Sequence, residues 1–381
     1  MNRRLHVAVY LVAHFFTSTV TAEDFCVSST AEIQQALTTA GNNGESDRIR
    51  IISGTYNVPS GPSIDSGFLY GAGDQDSEFF DLEISGGWYR NSNNQCIQQI
   101  NSSPFQTVLD GENKHRILQI YPSNATNISI TGIHFTNGFL DQFRGGVAVF
   151  ISNAVLQEPY TGRILIERNA FTSNDGESGT LYLATAGTTE VRNNLFAFNK
   201  TFDNFAGAFT YAAVESPQTR LFFTNNTVVA NTTKSSFNQA VSGVGIFING
   251  DHDSLIVLVN NILWENQTND FRVSGMNGIN GAAVIMSLVS NDIGSMYTFD
   301  PLDVDLDNIS IDPVFQTTGG LNYSLAQNSP LINQGYNSPG SAEWYMGDFD
   351  ILGKPRVYND TTVDIGAFEF FPDVLFKNGF E

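Results

Sequence analysis

Apolar and polar residues alternate along most of this chain in short runs, the period-two signature of strands with one buried side. Ile49-Arg50-Ile51 and Leu82-Glu83-Ile84 show the pattern, and Gly and Asn turns punctuate it. One stretch has the helical period instead. Ser29-Thr30-Ala31-Glu32 fits a capping box with Ser29 as N-cap, and Ile33, Ala36, Leu37 and Ala40 follow at helical spacing until Gly41. The strand pattern also repeats. Arg168-Asn169-Ala170-Phe171-Thr172-Ser173-Asn174, Asn193-Asn194-Leu195-Phe196-Ala197-Phe198-Asn199, Asn225-Asn226-Thr227-Val228-Val229-Ala230-Asn231 and Asn260-Asn261-Ile262-Leu263-Trp264-Glu265-Asn266 superimpose without gaps. Each contains Asn-x-apolar-x-x-Asn, at steps of 25, 32 and 35 residues. A fifth copy, Ile128-Ser129-Ile130 through Phe135, matches in its apolar positions but carries its Asn one place off. Between copies lie Gly-led strands such as Gly146-Val147-Ala148-Val149 and Gly179-Thr180-Leu181-Tyr182.

A unit of this size cannot bury its own inner face, so it must stack on its neighbours. If each copy is one coil of a solenoid, equivalent positions lie about 4.8 Å apart along the axis. Phe135, Phe171, Phe196, Val228 and Leu263 then form one internal column. Asn169, Asn194, Asn226 and Asn261 form one Asn ladder, and Asn174, Asn199, Asn231 and Asn266 a second, each bonded coil to coil. Asn also tolerates the left-handed backbone of a sharp corner. The 29–41 helix is suited to plug the first coil, because solenoid ends need caps. A β-propeller is disfavoured, since the repeats lack four even strands per blade.

Residues 1–22 read as an export signal: Arg3 and Arg4, a short apolar run from Leu5 to Phe16, then Val20-Thr21-Ala22 before a cut. The apolar run is too short to span a bilayer, and no later segment approaches the required length. The expected product is exported, with no membrane span after signal removal. Its two cysteines, Cys26 and Cys96, are then expected to be bridged in an oxidising compartment. The whole chain of 381 residues has a net charge of −21, and losing Arg3 and Arg4 leaves 16 basic against 39 acidic side chains, a net −23. That balance excludes nucleic acid, which needs a concentrated basic face. A hydrophobic share of 41% still supports a real core.

The Asn-x-Phe-x-x-Asn and Gly-led pattern over residues 45–295 resembles right-handed parallel β-helix proteins, among them pectate-lyase-like enzymes and outer-membrane repeat proteins. The expected fold is therefore all-β, a single right-handed parallel β-helix over 23–307 with a short N-terminal capping helix. Further on, Asp312-Pro313-Val314-Phe315, Ser329-Pro330-Leu331-Ile332-Asn333, Asp348-Phe349-Asp350-Ile351-Leu352-Gly353-Lys354-Pro355-Arg356 and Val363-Asp364-Ile365-Gly366-Ala367-Phe368-Glu369 occur in order. This set resembles the choice-of-anchor Q module of secreted bacterial β-helix proteins, and the resemblance implies closing coils over 308–370. Residues 371–381 are similar to a C-terminal tail of exported bacterial proteins. The resemblance implies a bacterial envelope or secreted protein and no particular reaction.

Between each second Asn and the next Gly-led strand the spacing varies, which marks a loop-bearing edge. Those loops carry Asp141 and Arg144, Asp175 and Glu177, Lys200 and Asp203, Lys234 and Asn238, and Asp270 and Arg272. A polysaccharide lyase needs Ca²⁺ or a cation beside the substrate acid and a Lys or Arg as base, roles that Lys200, Lys234 and Arg272 suit. A glycoside hydrolase needs two carboxylates at a defined separation, which Asp175, Glu177 and Asp203 can supply. Asp141, Arg144, Asn238 and Asp270 are binding candidates. The alternating Asp303, Asp305 and Asp307 suit Ca²⁺, although they do not match an EF-hand loop. Trp88, Tyr89, Trp344 and Tyr345 are candidates for stacking on sugars. His115, His134 and His252 are isolated from any nucleophile motif. Two functions follow: a non-catalytic monomer presenting a surface to a polysaccharide, cell-surface glycan or partner, or a polysaccharide lyase or glycoside hydrolase acting in a loop-lined groove.

Overall fold

The computed structural model describes residues 23–371 except 62–66, 72–79, 94, 99–102, 123–124, 142–144, 153–159, 178, 202–206, 214–218, 235–241, 249–253, 275–283, 299–301, 317–319, 340–341 and 358–361. The expected signal over residues 1–22 and residues 372–381 lie outside the described residues, as do Arg144, Asp203, Asn238 and His252.

The strands form four sheets, which each full coil visits in turn. In one coil, Arg163–Glu167 belongs to the first sheet, Ala170–Thr172 to the second, Asp175–Gly176 to the short third and Leu181–Thr185 to the fourth. Thr188–Arg192 then returns to the first sheet, pairing in parallel with Arg163–Glu167. Among the described residues every strand pairing between coils is parallel; the hairpin of Leu82–Arg90 with Cys96–Gln98 is antiparallel. The molecule is a parallel β-helix.

Its interior is the column expected from the repeats. Phe135, Phe171, Phe196, Val228 and Leu263 are in register and fully buried. The three Phe rings stack nearly parallel, with centroids 5.1 and 4.7 Å apart. Each buried ring contributes on the order of 2 kcal/mol.

The corners need more than apolar contact, because a buried turn strands its backbone N–H groups. Asn194 receives Asn169 N–H on its Oδ1 at 2.9 Å and donates its own amide to Asn226 Oδ1 at 3.0 Å. The link repeats through Asn226, Asn261, Asn291 and Asn308. At the next corner Asn174, Asn199, Asn231 and Asn266 do the same. The residue before each ladder Asn takes the strained conformation: Arg168, Asn193, Asn225, Asn260 and Ser290 have φ between 50° and 58° at the first corner. This explains the fifth copy. Asn137 (φ 55°) occupies the left-handed place, and Ile133 and Gly138 stand where the ladder residues would be, each donating its N–H to the first Asn of a ladder.

The helix Thr30–Ala40 covers the first coil with Ile33, Ala36, Leu37 and Ala40. Ser29 Oγ accepts from Glu32 N–H, while the Glu32 carboxylate accepts from Ser28 N–H, one residue earlier than the usual box. Cys26 and Cys96 are bridged, joining the first strand to the hairpin across 70 residues. On the loop-entropy argument the bridge contributes on the order of 4 kcal/mol.

Residues 308–371 differ from the closing coils expected of them. Past Leu306 the described residues make no strand, only isolated bridges such as Phe315 with Leu325. They fold back as an irregular strap on the outer face of the second sheet. Leu331, Ile351, Ile365 and Phe368 bury against Ala170, Leu195, Val229 and Ile262. Gly366, at φ 100°, passes so close that a Cβ would lie 2.6 Å from Ile262. The outward apolar positions of the second sheet supply this second core, so its strands are apolar on both sides and cannot alternate cleanly.

Replacing Asn226 by Ala removes the acceptor of two Asn194 bonds and the donor to Val191 O inside the core. We expect a loss on the order of 3 kcal/mol, read as a melting temperature several degrees lower. An unchanged melting point would contradict the ladder's role.

Candidate functional site

The loop-bearing edge runs along the third and fourth sheets. Asp175, Lys200 and Thr232 are register neighbours on successive coils of the third sheet. Lys234 Nζ lies 4.0 Å from Asp175 Oδ2, reaching back across the intervening coil. Glu177, two residues on, shares the outer side of the strand with Asp175, and its carbonyl accepts from Thr201 Oγ1. Asp141 is exposed after Phe139–Leu140. The edge thus gathers Asp175, Lys200 and Lys234 into one patch. Arg272 belongs to the fourth sheet, in register with Gly245 and Tyr297, and burial lowers its pKa.

Asp270 is not a surface ligand. It is buried, and its Oδ1 accepts from Asn266 N–H and Nδ2 at 2.8 and 2.7 Å while its Oδ2 accepts from Ser295 Oγ. It is the last link of the second ladder. An acid fits there because the terminal link only has to accept. Burial raises its pKa against these hydrogen bonds.

The acidic runs are likewise structural. Asp303 Oδ2 accepts from Met286 N–H and Asp305 Oδ1 from Asn308 Nδ2, while Asp307 holds a left-handed corner. Among the described residues no three His, Cys, Asp or Glu side chains come together to hold a metal. Asp303 and Asp307 flank the open edge strand Val304–Leu306, where like charges discourage pairing with another edge.

Asp350, Asp364 and Glu369 form a buried knot around Arg356 in the strap. Arg356 Nη1 is 2.6 Å from Glu369 Oε1, and its Nε donates to Asn193 Oδ1 at 2.9 Å. Asp350 accepts from the N–H groups of Leu352, Lys354 and Glu369, and Asp364 from those of Asn333 and Phe370. The strap is therefore tied to the solenoid at the left-handed Asn residues. Asn193 Nδ2 donates to Met346 O, and Asn260 exchanges two bonds with Tyr336. In each Asn-Asn doublet of the first corner the second residue makes the ladder. The first faces the strap. Nothing in the repeat distinguishes these two tasks.

The sugar-stacking candidates are scattered. Trp88 lies under the Arg50 guanidinium and Tyr345 under that of Arg192. Trp344, itself in the strap, packs on Phe222 and Val257. A different row lies on the outer face of the fourth sheet: Tyr121, Phe150 and Tyr182, with centroids 5.8 and 5.4 Å apart. The buried Arg116 supports it, its guanidinium 5.0 Å from the Phe150 ring and bonded to Gln119 Oε1 and Gly145 O. For Phe150 and Tyr182 the signal is the residue following the first inward apolar position of a Gly-led strand; Tyr121 instead lies two places past Gln119, the register partner of Phe150. His134 is locked between Thr172 and Phe105, and burial takes its pKa down to about 4, so it is neutral. Asn231 and Asn266, each in an Asn-x-Thr sequon, are buried in the ladder.

No family model matches the sequence, and no curated protein matches it. Among solved structures, a crystal structure of pectate lyase Pel9A aligns over 93% of this chain and 98% of its own, at 14% identity and a TM-score of 0.33.

Three buried carboxyls share one guanidinium in the strap, and burial outweighs the Arg356 attraction to push Glu369 from 4.5 up to about 8. The folded state therefore holds a proton that the unfolded chain releases. Stability is greatest below about pH 4.5 on this account and falls as pH rises to about 8. Asp350 and Asp364 are raised by burial and act in the same direction. Glu369→Gln should flatten this slope in melting curves recorded across that range; an unchanged slope would exclude Glu369 as its source.

Proposed function

We propose that the protein is an exported, monomeric β-helix that holds a neutral polysaccharide or cell-surface glycan along its third- and fourth-sheet side without cleaving it. The carrying observation is which sides are already occupied. The strap covers the second sheet, the helix covers the first coil, and the outer face of the first sheet carries cross-coil ion pairs such as Arg163–Glu190 and Arg192–Glu167. The remaining long side bears the variable loops, the Tyr121–Phe150–Tyr182 row and the Asp175–Lys234 patch. Rings beside hydroxyls and amides suit sugar, whose own surface is part C–H and part hydroxyl. A net −23 body repels polyuronates, which favours an uncharged polymer.

Export agrees with the bridged cysteines. We read residues 308–370 as a choice-of-anchor Q-like module whose motif residues build the strap and its charged knot. One observation favours the enzyme reading. Asp175, Lys200 and Lys234 converge on adjoining coils, so a lyase would use Lys200 or Lys234 with Arg272, and a hydrolase Asp175 with Glu177 or Asp203.

Affinity electrophoresis of the mature chain through neutral and acidic polysaccharides separates these readings. We expect retardation by at least one neutral polymer, none by polyuronates, and no unsaturated products or new reducing ends with or without Ca²⁺. Tyr182→Ala should weaken retention about tenfold, or ~1.4 kcal/mol. Product formation that is lost in Lys234→Ala or Asp175→Ala would replace binding with catalysis.

A further inference from the structure

The strap encloses a second place for a ligand, away from the long side. A pocket of about 610 Å³ opens where the strap meets the turn Pro104–Gln106, within the roughly 300–1,000 Å³ typical of small-molecule sites. Phe105 forms one wall, fixed edge-on to His134 at 5.3 Å, and Phe370 and Phe371 come from the end of the strap. Three polar side chains line it with their bonding capacity unengaged among the described residues. Gln316 donates its amide to Leu325 O, leaving its carbonyl oxygen. Ser324 is held by its backbone N–H on Asn322 Oδ1, leaving its hydroxyl. Among the described residues the Lys354 ammonium is within salt-bridge distance of no carboxylate, Asp350 attracting it only at longer range, and it sits 5.1 Å from the Phe371 ring centre. The other two polar residues of the lining are engaged: Asn322 Oδ1 accepts from Ser324 N–H and Glu369 is bonded to Arg356.

Apolar rings, a hydroxyl, an amide carbonyl and an ammonium converging on one cavity form an unfinished hydrogen-bond set around an aromatic surface. Its charge is not unfinished. Lys354 and Arg356 stand against Asp350, Asp364 and Glu369, so the surroundings have no positive excess to attract an anion. We infer that this pocket binds one or two neutral sugar units, with a C–H face of the ring on Phe371 and hydroxyls on Lys354, Ser324 and Gln316. The inference rests on the carbohydrate reading for its ligand class and names a site separate from the long side.

The test is saturation-transfer NMR on the full mature chain with free glucose, galactose, mannose and their disaccharides, with glucuronate as the charged comparison. At least one neutral sugar should bind in the millimolar range. Ser324→Ala and Phe371→Ala should each weaken it about tenfold with little change in melting temperature. No transfer from any neutral sugar, transfer indifferent to both pocket variants, or preference for glucuronate would each overturn the inference. Polymer retention without sugar binding sinks the pocket and leaves the long-side reading standing. Sugar binding without polymer retention does the reverse.

Discussion

Satisfying the buried backbone at the corners is the constraint on which this structure depends. A coil that turns sharply must leave N–H groups pointing into a dry interior, where an unpartnered one costs about 1–3 kcal/mol. Asn answers both sides of the problem, because its amide accepts from one coil and donates to the next. Asn194, Asn226 and Asn261 do this in sequence, each buried. Once the ladder sets the register, the Phe135–Phe171–Phe196 stack follows, since the residue two places after each first-corner position must point inward. The ladders also explain their own ends. They start where Ile133 and Gly138 need only donate, and finish on Asp270, which only accepts, and on Asn308, which bonds Leu288 O.

The same corners decide what the outside can do. Placing Asn at the left-handed positions 193 and 260 gives the strap fixed polar anchors beside an apolar sheet face. The strap then buries that face and ties itself down with Arg356, whose guanidinium reaches both Asn193 and Glu369. The runs Asp348–Arg356 and Val363–Glu369 are thus the closure of a second core. The strap covers the second-sheet side and not the loop-bearing one, and its own end shapes the Phe105–Phe371 pocket.

The coils were legible in the sequence because their repeat is short, gapless and chemically specific: Asn at two corners and an apolar residue between them. The helix was legible through Ser29, Glu32 and the spacing of Ile33, Ala36 and Leu37. The path of residues 308–371 was not, since irregular backbone held by Asp350, Asp364 and Arg356 has no period to read. Asp270 was misread for a related reason. Its loop position suggests exposure, and only its register after Asn266 reveals a buried acceptor. The Tyr121–Phe150–Tyr182 row was hidden because outward positions on the fourth sheet vary from ring to Thr210 to Gly245.

Hydrogen exchange followed by mass spectrometry tests the central claim most directly, because it reads the corner amides themselves. The ladder account predicts that peptides spanning Asn194, Asn226 and Asn261 are among the last to exchange, opening only with global unfolding, while residues 321–324 exchange earlier. Exchange at those corners as fast as in the surface loops would show that the amides are not held, and would contradict the account.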